Sequence, residues 1–109
     1  MKVAVIGSRV LSVENLGDYL PYGVTEIVSG GAKGVDICAR EYANKNHLKL
    51  TEFLPRYDCY GRGAPIKRNR EIVEYADYVL AFWDGTSKGT KNVILLSKQL
   101  SKPLTVIRR

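Results

Sequence analysis

The 109-residue sequence contains only two cysteines and a single histidine, which leaves few soft ligands for a metal ion. Cys38 and Cys59 belong to no Cys-x-x-Cys or Cys-x-x-His pattern, and His47 stands alone. Structural zinc sites take four such ligands at characteristic spacings. We therefore expect no metal site, no metal cofactor and two free thiols.

Long hydrophobic runs are also missing, and the apolar stretches extend over only a few residues. A membrane-spanning helix needs roughly 20 consecutive apolar residues. The N-terminal segment MKVAVIGSR is far too short for the apolar region of a secretory signal, and no cleavage site follows it. These absences predict a cytoplasmic protein with no membrane partner.

The chain lacks internal repeats, linkers and low-complexity segments, and its length suits one domain rather than two. Hydrophobic residues make up 45% and charged residues 26%, as in an ordinary globular domain. We therefore expect residues 1–109 to form a single domain. The formal charge of +6 would attract a polyanion, although many basic proteins bind none.

Short β-branched runs alternate with helical patterns along the whole chain. The predicted strands cover residues 2–7, 25–29, 48–54, 77–83 and 104–107, and the predicted helices cover residues 12–20, 33–47, 65–76 and 90–100. This strict alternation predicts an α/β fold, a three-layer α/β/α Rossmann-like sandwich with a five-stranded parallel sheet. We favour the strand order 3-2-1-4-5 over the flavodoxin-like order 2-1-3-4-5.

Eight of the ten glycines fall in loops that directly follow predicted strands. These loops share the carboxyl edge of a parallel sheet, where ligands of such folds bind. Glycine lets backbone N–H groups approach a ligand closely, and a helix N-terminus favours an anion. A single glycine loop is explained by a tight turn, but the convergence of several predicts an anion site, above all for phosphate.

The stretch IVSGGAKGVD at residues 27–36 is the richest of these loops. It lacks the first glycine of the dinucleotide-binding GxGxxG motif, and it is not a Walker GK[ST] motif. ATP-dependent phosphoryl transfer of the usual kind is therefore not expected. Glu52 lies about where a ribose-binding acid would follow in a dinucleotide site, which alone is a weak indication of NAD.

Three segments carry a resemblance: KVAVIGSR, IVSGGAKGVDICAREYA and GAPIKRNREIVEYADYVLAFWDGTSKGT. Together they resemble the SLOG superfamily, in particular its small single-domain YspA-like branch, which is related to YpsA. The superfamily also includes the DNA-processing protein A (Smf) family and the Lonely Guy phosphoribohydrolases. The resemblance implies a Rossmann-like fold, a homodimer or higher homo-oligomer, and a sensor of a mononucleotide, ADP-ribose, an NAD derivative or a related nucleotide.

The resemblance also implies ligand-binding residues in the loops after four strands. They are Gly7, Ser8, Arg9, Ser29, Gly30, Gly31, Gly34, Asp36, Arg68, Asn69, Asp84, Gly85, Ser87, Gly89 and Thr90. We expect Arg68, with Arg9 or Lys33, to neutralise a phosphate to which the glycine backbone donates. Asp36, in a first helical turn, would cap the helix or contact the ligand. Ser87 and Thr90 would be phosphate donors or part of an N-cap.

One departure from the resembled enzymes concerns catalysis. In the Lonely Guy enzymes the last loop, PGGxGTxxE, ends in a catalytic glutamate, and the corresponding position here is Val93. Because the general acid or base is missing, we expect little phosphoribohydrolase-type N-glycosidic hydrolysis, and we leave enzymatic activity open. Asp36, Glu71 and Asp84 are the remaining carboxylates that would be available.

A second departure is the absence here of the further domains that DNA-processing proteins carry. Single-stranded DNA binding is nevertheless the main alternative function. Residues 56–62 combine Arg56, Tyr57, Tyr60 and Arg62, and aromatic residues beside arginines stack on nucleic acid bases. Otherwise, these tyrosines would simply pack back on the domain.

Overall fold

The computed structural model describes all 109 residues and contains a single sheet. Its strands are β1 (Lys2–Gly7), β2 (Glu26–Ser29), β3 (Lys49–Glu52), β4 (Tyr78–Trp83) and β5 (Leu104–Arg108). Every neighbouring pair is parallel, and the order is β3-β2-β1-β4-β5. The predicted five-stranded parallel sheet and its order 3-2-1-4-5 are therefore confirmed.

Helices cover both faces of this sheet. They are α1 (Val35–Lys45), α2 (Tyr57–Tyr60), α3 (Ala64–Tyr75) and α4 (Lys88–Gln99), with 3₁₀ turns at Leu16–Tyr19 and Gly61–Gly63. Successive side chains of a strand point to opposite faces. Val3 and Val5 of β1 accordingly pack in the core under α1, whereas Ala4 and Ile6 pack under α3 and α4. The result is the predicted three-layer α/β/α Rossmann-like sandwich, and none of its helices has the length and apolarity to cross a membrane.

The helix predicted at residues 12–20 is wrong, because only the 3₁₀ turn Leu16–Tyr19 forms there. Its N-cap, Asn15, makes no capping hydrogen bond through its side chain, and helices this short are unstable without tertiary support. Gly17 lies so close to the Tyr42 ring that a Cβ atom would be 3.0 Å from the Tyr42 hydroxyl oxygen. Burial of Val13 and Leu16 holds the segment instead.

The region predicted as a loop at residues 55–64 contains α2 and the 3₁₀ turn Gly61–Gly63. The other elements begin and end within a few residues of their predicted bounds. The chain runs from β1 to β3 on one side of the sheet and continues with β4 and β5 on the other. The loops after β1 and β4 therefore diverge, which opens a crevice at the carboxyl edge.

Candidate functional site

A pocket of about 360 Å³ opens in this crevice. Eleven of the sixteen predicted site residues line it: Gly7, Ser8, Arg9, Gly30, Asp36, Arg68, Asn69, Asp84, Ser87, Gly89 and Thr90. They come from the loops after β1, β2 and β4, from the first turns of α1 and α4, and from the first half of α3. The topology therefore brings together most of the residues that the sequence analysis selected.

The remaining five predicted residues, Ser29, Gly31, Lys33, Gly34 and Gly85, do not line the pocket. Ser29 is buried beneath it, and its Oγ accepts the Gly31 N–H at 3.2 Å. Lys33 is exposed to solvent. Gly85 lies against the Arg108 guanidinium. These residues shape the loops around the pocket, and direct ligand contact by any of them stays a prediction.

Gly34 is the point at which the loop after β2 crosses the loop after β1. Its φ of +68° and ψ of −121° lie in a region that side chains other than glycine's rarely allow. A Cβ atom there would lie 2.5 Å from the Arg9 carbonyl oxygen and 2.6 Å from that of Ser8. Glycine is therefore required for the close contact between the two loops.

Arg68, in the first half of α3, reaches across the pocket to the β2 loop. Its Nη1 donates to the carbonyl oxygens of Gly30 at 2.8 Å and Phe53 at 3.3 Å, and its Nε donates to Asn69 Oδ1 at 3.0 Å. A Cβ on Gly30 would lie 2.6 Å from Nη1, so this approach depends on the missing side chain. The guanidinium is thereby held in one orientation at the pocket.

The second terminal nitrogen of Arg68, Nη2, has no acceptor in the protein. Every fully buried side-chain nitrogen or oxygen has a hydrogen-bond partner, so Nη2 must be accessible to solvent. Burial lowers the pKa of Arg68 below its ordinary value, an effect that the nearby Asp36 carboxylate partly offsets. Because arginine nevertheless stays charged at neutral pH, the site keeps a free cationic donor.

Asp36, in the first turn of α1, is 7% exposed and lines the same pocket. Its Oδ2 accepts the Ala32 N–H at 3.0 Å, which braces the β2 loop, and a hydrogen bond from the Ser29 side chain also stabilises the carboxylate. Burial raises the pKa of Asp36 above its ordinary 3.8, although the Ala32 N–H and Arg68 oppose this rise. Asp36 thus stabilises the loop, and its contact with a ligand stays a prediction.

The raised pKa of Asp36 predicts a pH-dependent effect of Asp36→Asn. The folded state binds this proton more tightly than the unfolded state, so the stability due to Asp36 is present below pH 3.8 and is lost as pH rises through the raised pKa. Asparagine can still accept the Ala32 N–H but cannot ionise. We therefore expect the variant to gain in free energy of unfolding, relative to wild type, as the pH rises from about 4 through the raised pKa of Asp36.

Urea unfolding across this pH range measures the difference between the two proteins. Asp58→Asn, at an exposed position of α2, controls for the change in net charge. A difference between Asp36→Asn and wild type that stays constant or shrinks with rising pH would contradict the assignment of a buried, destabilised carboxylate to Asp36.

The loop after β4 forms a compact turn around Asp84. Its Oδ1 accepts the N–H groups of Thr86 at 2.9 Å and Ser87 at 2.8 Å, which lowers the pKa of Asp84 below its ordinary value. Ser87 is the N-cap of α4, since its Oγ accepts the Thr90 N–H at 3.4 Å. Of the two roles open for Ser87 and Thr90, the structure therefore shows the capping one, and their contact with a ligand stays a prediction.

Ser8 connects the β1 and β4 loops. It is 1% exposed, its N–H donates to the Phe82 carbonyl oxygen at 3.2 Å, and its Oγ accepts the Asp84 N–H at 3.3 Å. Asn69 makes a similar link between helices, donating from Nδ2 to Asn92 Oδ1 at 3.1 Å. The polar wall of the pocket is therefore hydrogen-bonded within itself before any ligand binds.

The sequence analysis missed the apolar part of the pocket, which consists of Ile6, Val10, Pro65, Ile72 and Val93, together with Ala32. Ile6, Ile72 and Val93 belong to the core under α3 and α4, whereas Val10 is 81% exposed. Nothing local in the sequence indicated that the core reaches the pocket. A ligand in the pocket would contact these apolar side chains with one of its faces.

Glu52 and the tyrosine-rich segment lie outside the pocket. The Glu52 carboxylate pairs with Arg40, with contacts from Nη2 at 2.9 Å and Nε at 3.0 Å. Tyr57 and Tyr60 of α2 are 59% and 44% exposed, and Lys67 Nζ lies 5.7 Å from the Tyr60 ring centroid. Single-stranded DNA binding through these exposed tyrosines stays a prediction.

No model of a known protein family matches the chain, and no curated protein or solved structure is significantly similar to it. Membership in the SLOG superfamily therefore stays a prediction. No three histidine, cysteine, aspartate or glutamate side chains are grouped so that they would hold a metal ion. The chemistry of the pocket residues is what indicates the class of ligand.

Proposed function

We propose that this protein binds a small nucleotide, or a nucleotide-derived ligand that contains a phosphate, in the pocket at the carboxyl edge of the sheet. In this proposal it is a ligand-binding module of the SLOG type. The observation that carries the proposal is Arg68, which lines the pocket and whose guanidinium is held by two carbonyl oxygens while its Nη2 has no acceptor in the protein.

A phosphate suits the polar side of the pocket. Residues in the first turns of α1 and α4 line it, and the first N–H groups of a helix lack intrahelical acceptors and carry partial positive charge. Arg68 and Arg9 add two full positive charges. Such a combination of helix N-termini with arginine is a common anion site in proteins.

The rest of the pocket suits a sugar and a base rather than a free inorganic anion. Asp36 and Asp84 supply acceptors for hydroxyl groups, and they balance the charge of Arg9 and Arg68. The apolar residues of the pocket, among them Ile72 and Val93, would contact the flat ring of the base. Small-molecule pockets span about 300 to 1,000 Å³, so a pocket of about 360 Å³ fits a mononucleotide better than a dinucleotide.

Hydrolysis of the glycosidic bond is not part of this proposal. Val93, at the position of the catalytic glutamate in the resembled enzymes, is 2% exposed and packs in the core. It offers no group that accepts or donates a proton. Glu71, another candidate carboxylate, lies 3.6 Å from the Arg56 guanidinium in an ion pair.

Isothermal calorimetry with matched ligands tests the proposal. We expect a nucleoside monophosphate to bind, and the corresponding nucleoside to bind about 10- to 100-fold more weakly because it lacks the charge-assisted contacts. Cyclic nucleotides, ADP-ribose and NAD complete the panel, with the larger ligands binding more weakly. Equal affinity for nucleoside and monophosphate, or no binding by any member, would contradict the proposal.

A further inference from the structure

The whole excess of positive charge resides in the last quarter of the chain. Residues 85–109 contain six lysines and arginines but no aspartate or glutamate. Residues 1–84 contain eleven residues of each sign and are formally neutral. Residues 85–109 include α4 and β5, so the charge is segregated to one edge of the sandwich.

Three exposed lysines of α4, Lys88, Lys91 and Lys98, form a stripe on this edge. At 100° per residue they fall within one narrow arc of the helix, and at 1.5 Å per residue the stripe is about 15 Å long. Leu95, which is 47% exposed, lies in the same arc. On β5, Arg108 is exposed and extends the positive surface beyond the helix.

No carboxylate neutralises these side chains. The four ion pairs in the structure join Arg40 to Glu52, Lys49 to Glu26, Arg56 to Glu71 and Arg70 to Glu74. The Arg108 guanidinium lies 5.7 Å from the Trp83 ring centroid, and it too lacks an acidic partner. The charge of the pocket is balanced in comparison, because its two arginines, Arg9 and Arg68, are accompanied by two aspartates, Asp36 and Asp84.

We propose that Lys88, Lys91, Lys98 and Arg108 form a surface, the α4–β5 face, that binds the phosphate backbone of double-stranded nucleic acid. A row of uncompensated cations matches a continuous polyanion and gives binding independent of base sequence. A second copy of the chain is a poor occupant, because a two-fold contact through this face would oppose like charges.

The positions of the exposed aromatic residues indicate whether this face binds double-stranded or single-stranded nucleic acid. Proteins that bind single strands without sequence preference stack bases on exposed aromatic rings. The exposed tyrosines, Tyr22, Tyr57 and Tyr60, precede β2 or follow β3, and β3 is at the opposite edge of the sheet from β5. Trp83, whose ring lies beside Arg108, is partly buried. The α4–β5 face therefore offers charge without a stacking surface.

Fluorescence anisotropy with a labelled duplex of about 20 base pairs tests this proposal over a salt series. Four phosphate contacts predict a slope of about −3.6 in a plot of log affinity against log salt concentration. Between about 50 and about 200 mM salt the affinity should fall about 10²-fold. Lys91→Gln should reduce the magnitude of this slope by about 0.9, since one contact is lost.

Lys45→Gln is the matched control, because Lys45 is an exposed lysine at the other side of the molecule, in the last turn of α1. We expect it to leave the slope unchanged, and Arg68→Ala to do the same because Arg68 belongs to the pocket. If Lys45→Gln and Lys91→Gln reduce the slope equally, the proposal is overturned, because the duplex would then bind to the positive charge of the whole surface and not to the α4–β5 face. Tighter binding of the single strand, or of anionic lipid vesicles, than of the duplex would also overturn it.

Discussion

Gly34→Ala should lower the free energy of unfolding by at least about 3 kcal/mol, through backbone strain and steric overlap together. The new methyl group would lie 2.5 Å and 2.6 Å from the carbonyl oxygens of Arg9 and Ser8, atoms that cannot rotate away. The positive φ of +68° adds strain that alanine tolerates poorly. In thermal unfolding the expected decrease in Tm is at least about 12 °C.

Gly89→Ala is the matched control for this change. Gly89 lies in α4, and a Cβ atom there would meet nothing within 4 Å. Alanine at an unstrained helical position stabilises a protein by about 0.4 to 1 kcal/mol relative to glycine. If Gly34→Ala unfolds at the same urea concentration as wild type, the contact between the β1 and β2 loops is not as close as described.

Arg68→Ala should weaken binding of a nucleoside monophosphate by about 1.5 to 3 kcal/mol, or about 10- to 150-fold. The arginine is held in place by the Gly30 and Phe53 carbonyl oxygens, so its free Nη2 meets a phosphate without further loss of side-chain entropy. Calorimetry with the monophosphate and with its nucleoside measures the effect.

Two comparisons separate phosphate binding from a structural role of Arg68. Arg70→Ala removes the same side chain two residues along α3, where the guanidinium is exposed and pairs with Glu74 at 3.7 Å, and should leave affinity unchanged. The nucleoside should bind to Arg68→Ala and wild type alike. An equal loss of affinity for nucleoside and monophosphate would show that Arg68 only shapes the pocket.

Much of the fold followed from the sequence alone. The apolar runs of β1 and β4 and the helical periodicity of α1 are local patterns, and a right-handed connection between parallel strands leaves few possible topologies. The same rules placed the glycine-rich loops at one edge, which is why eleven of the sixteen predicted residues line one pocket. The periodicity of apolar residues and the handedness of the connections were therefore sufficient to predict the order of the strands and the loops that form the pocket.

Which residues of each loop face the pocket was decided by tertiary structure. Arg68 binds the Gly30 carbonyl oxygen across 38 residues of chain, and Asp36 accepts hydrogen bonds from the Ala32 N–H and the Ser29 side chain. In place of the helix predicted at residues 12–20, the chain is held by the burial of Val13 and Leu16 and by the close approach of Gly17 to the Tyr42 ring. The positive charges could be counted in the sequence, but their isolation from every carboxylate depends on the packing of α4 and β5 at one edge of the sheet. Contacts between distant segments leave no local pattern, so only the folded chain determines them.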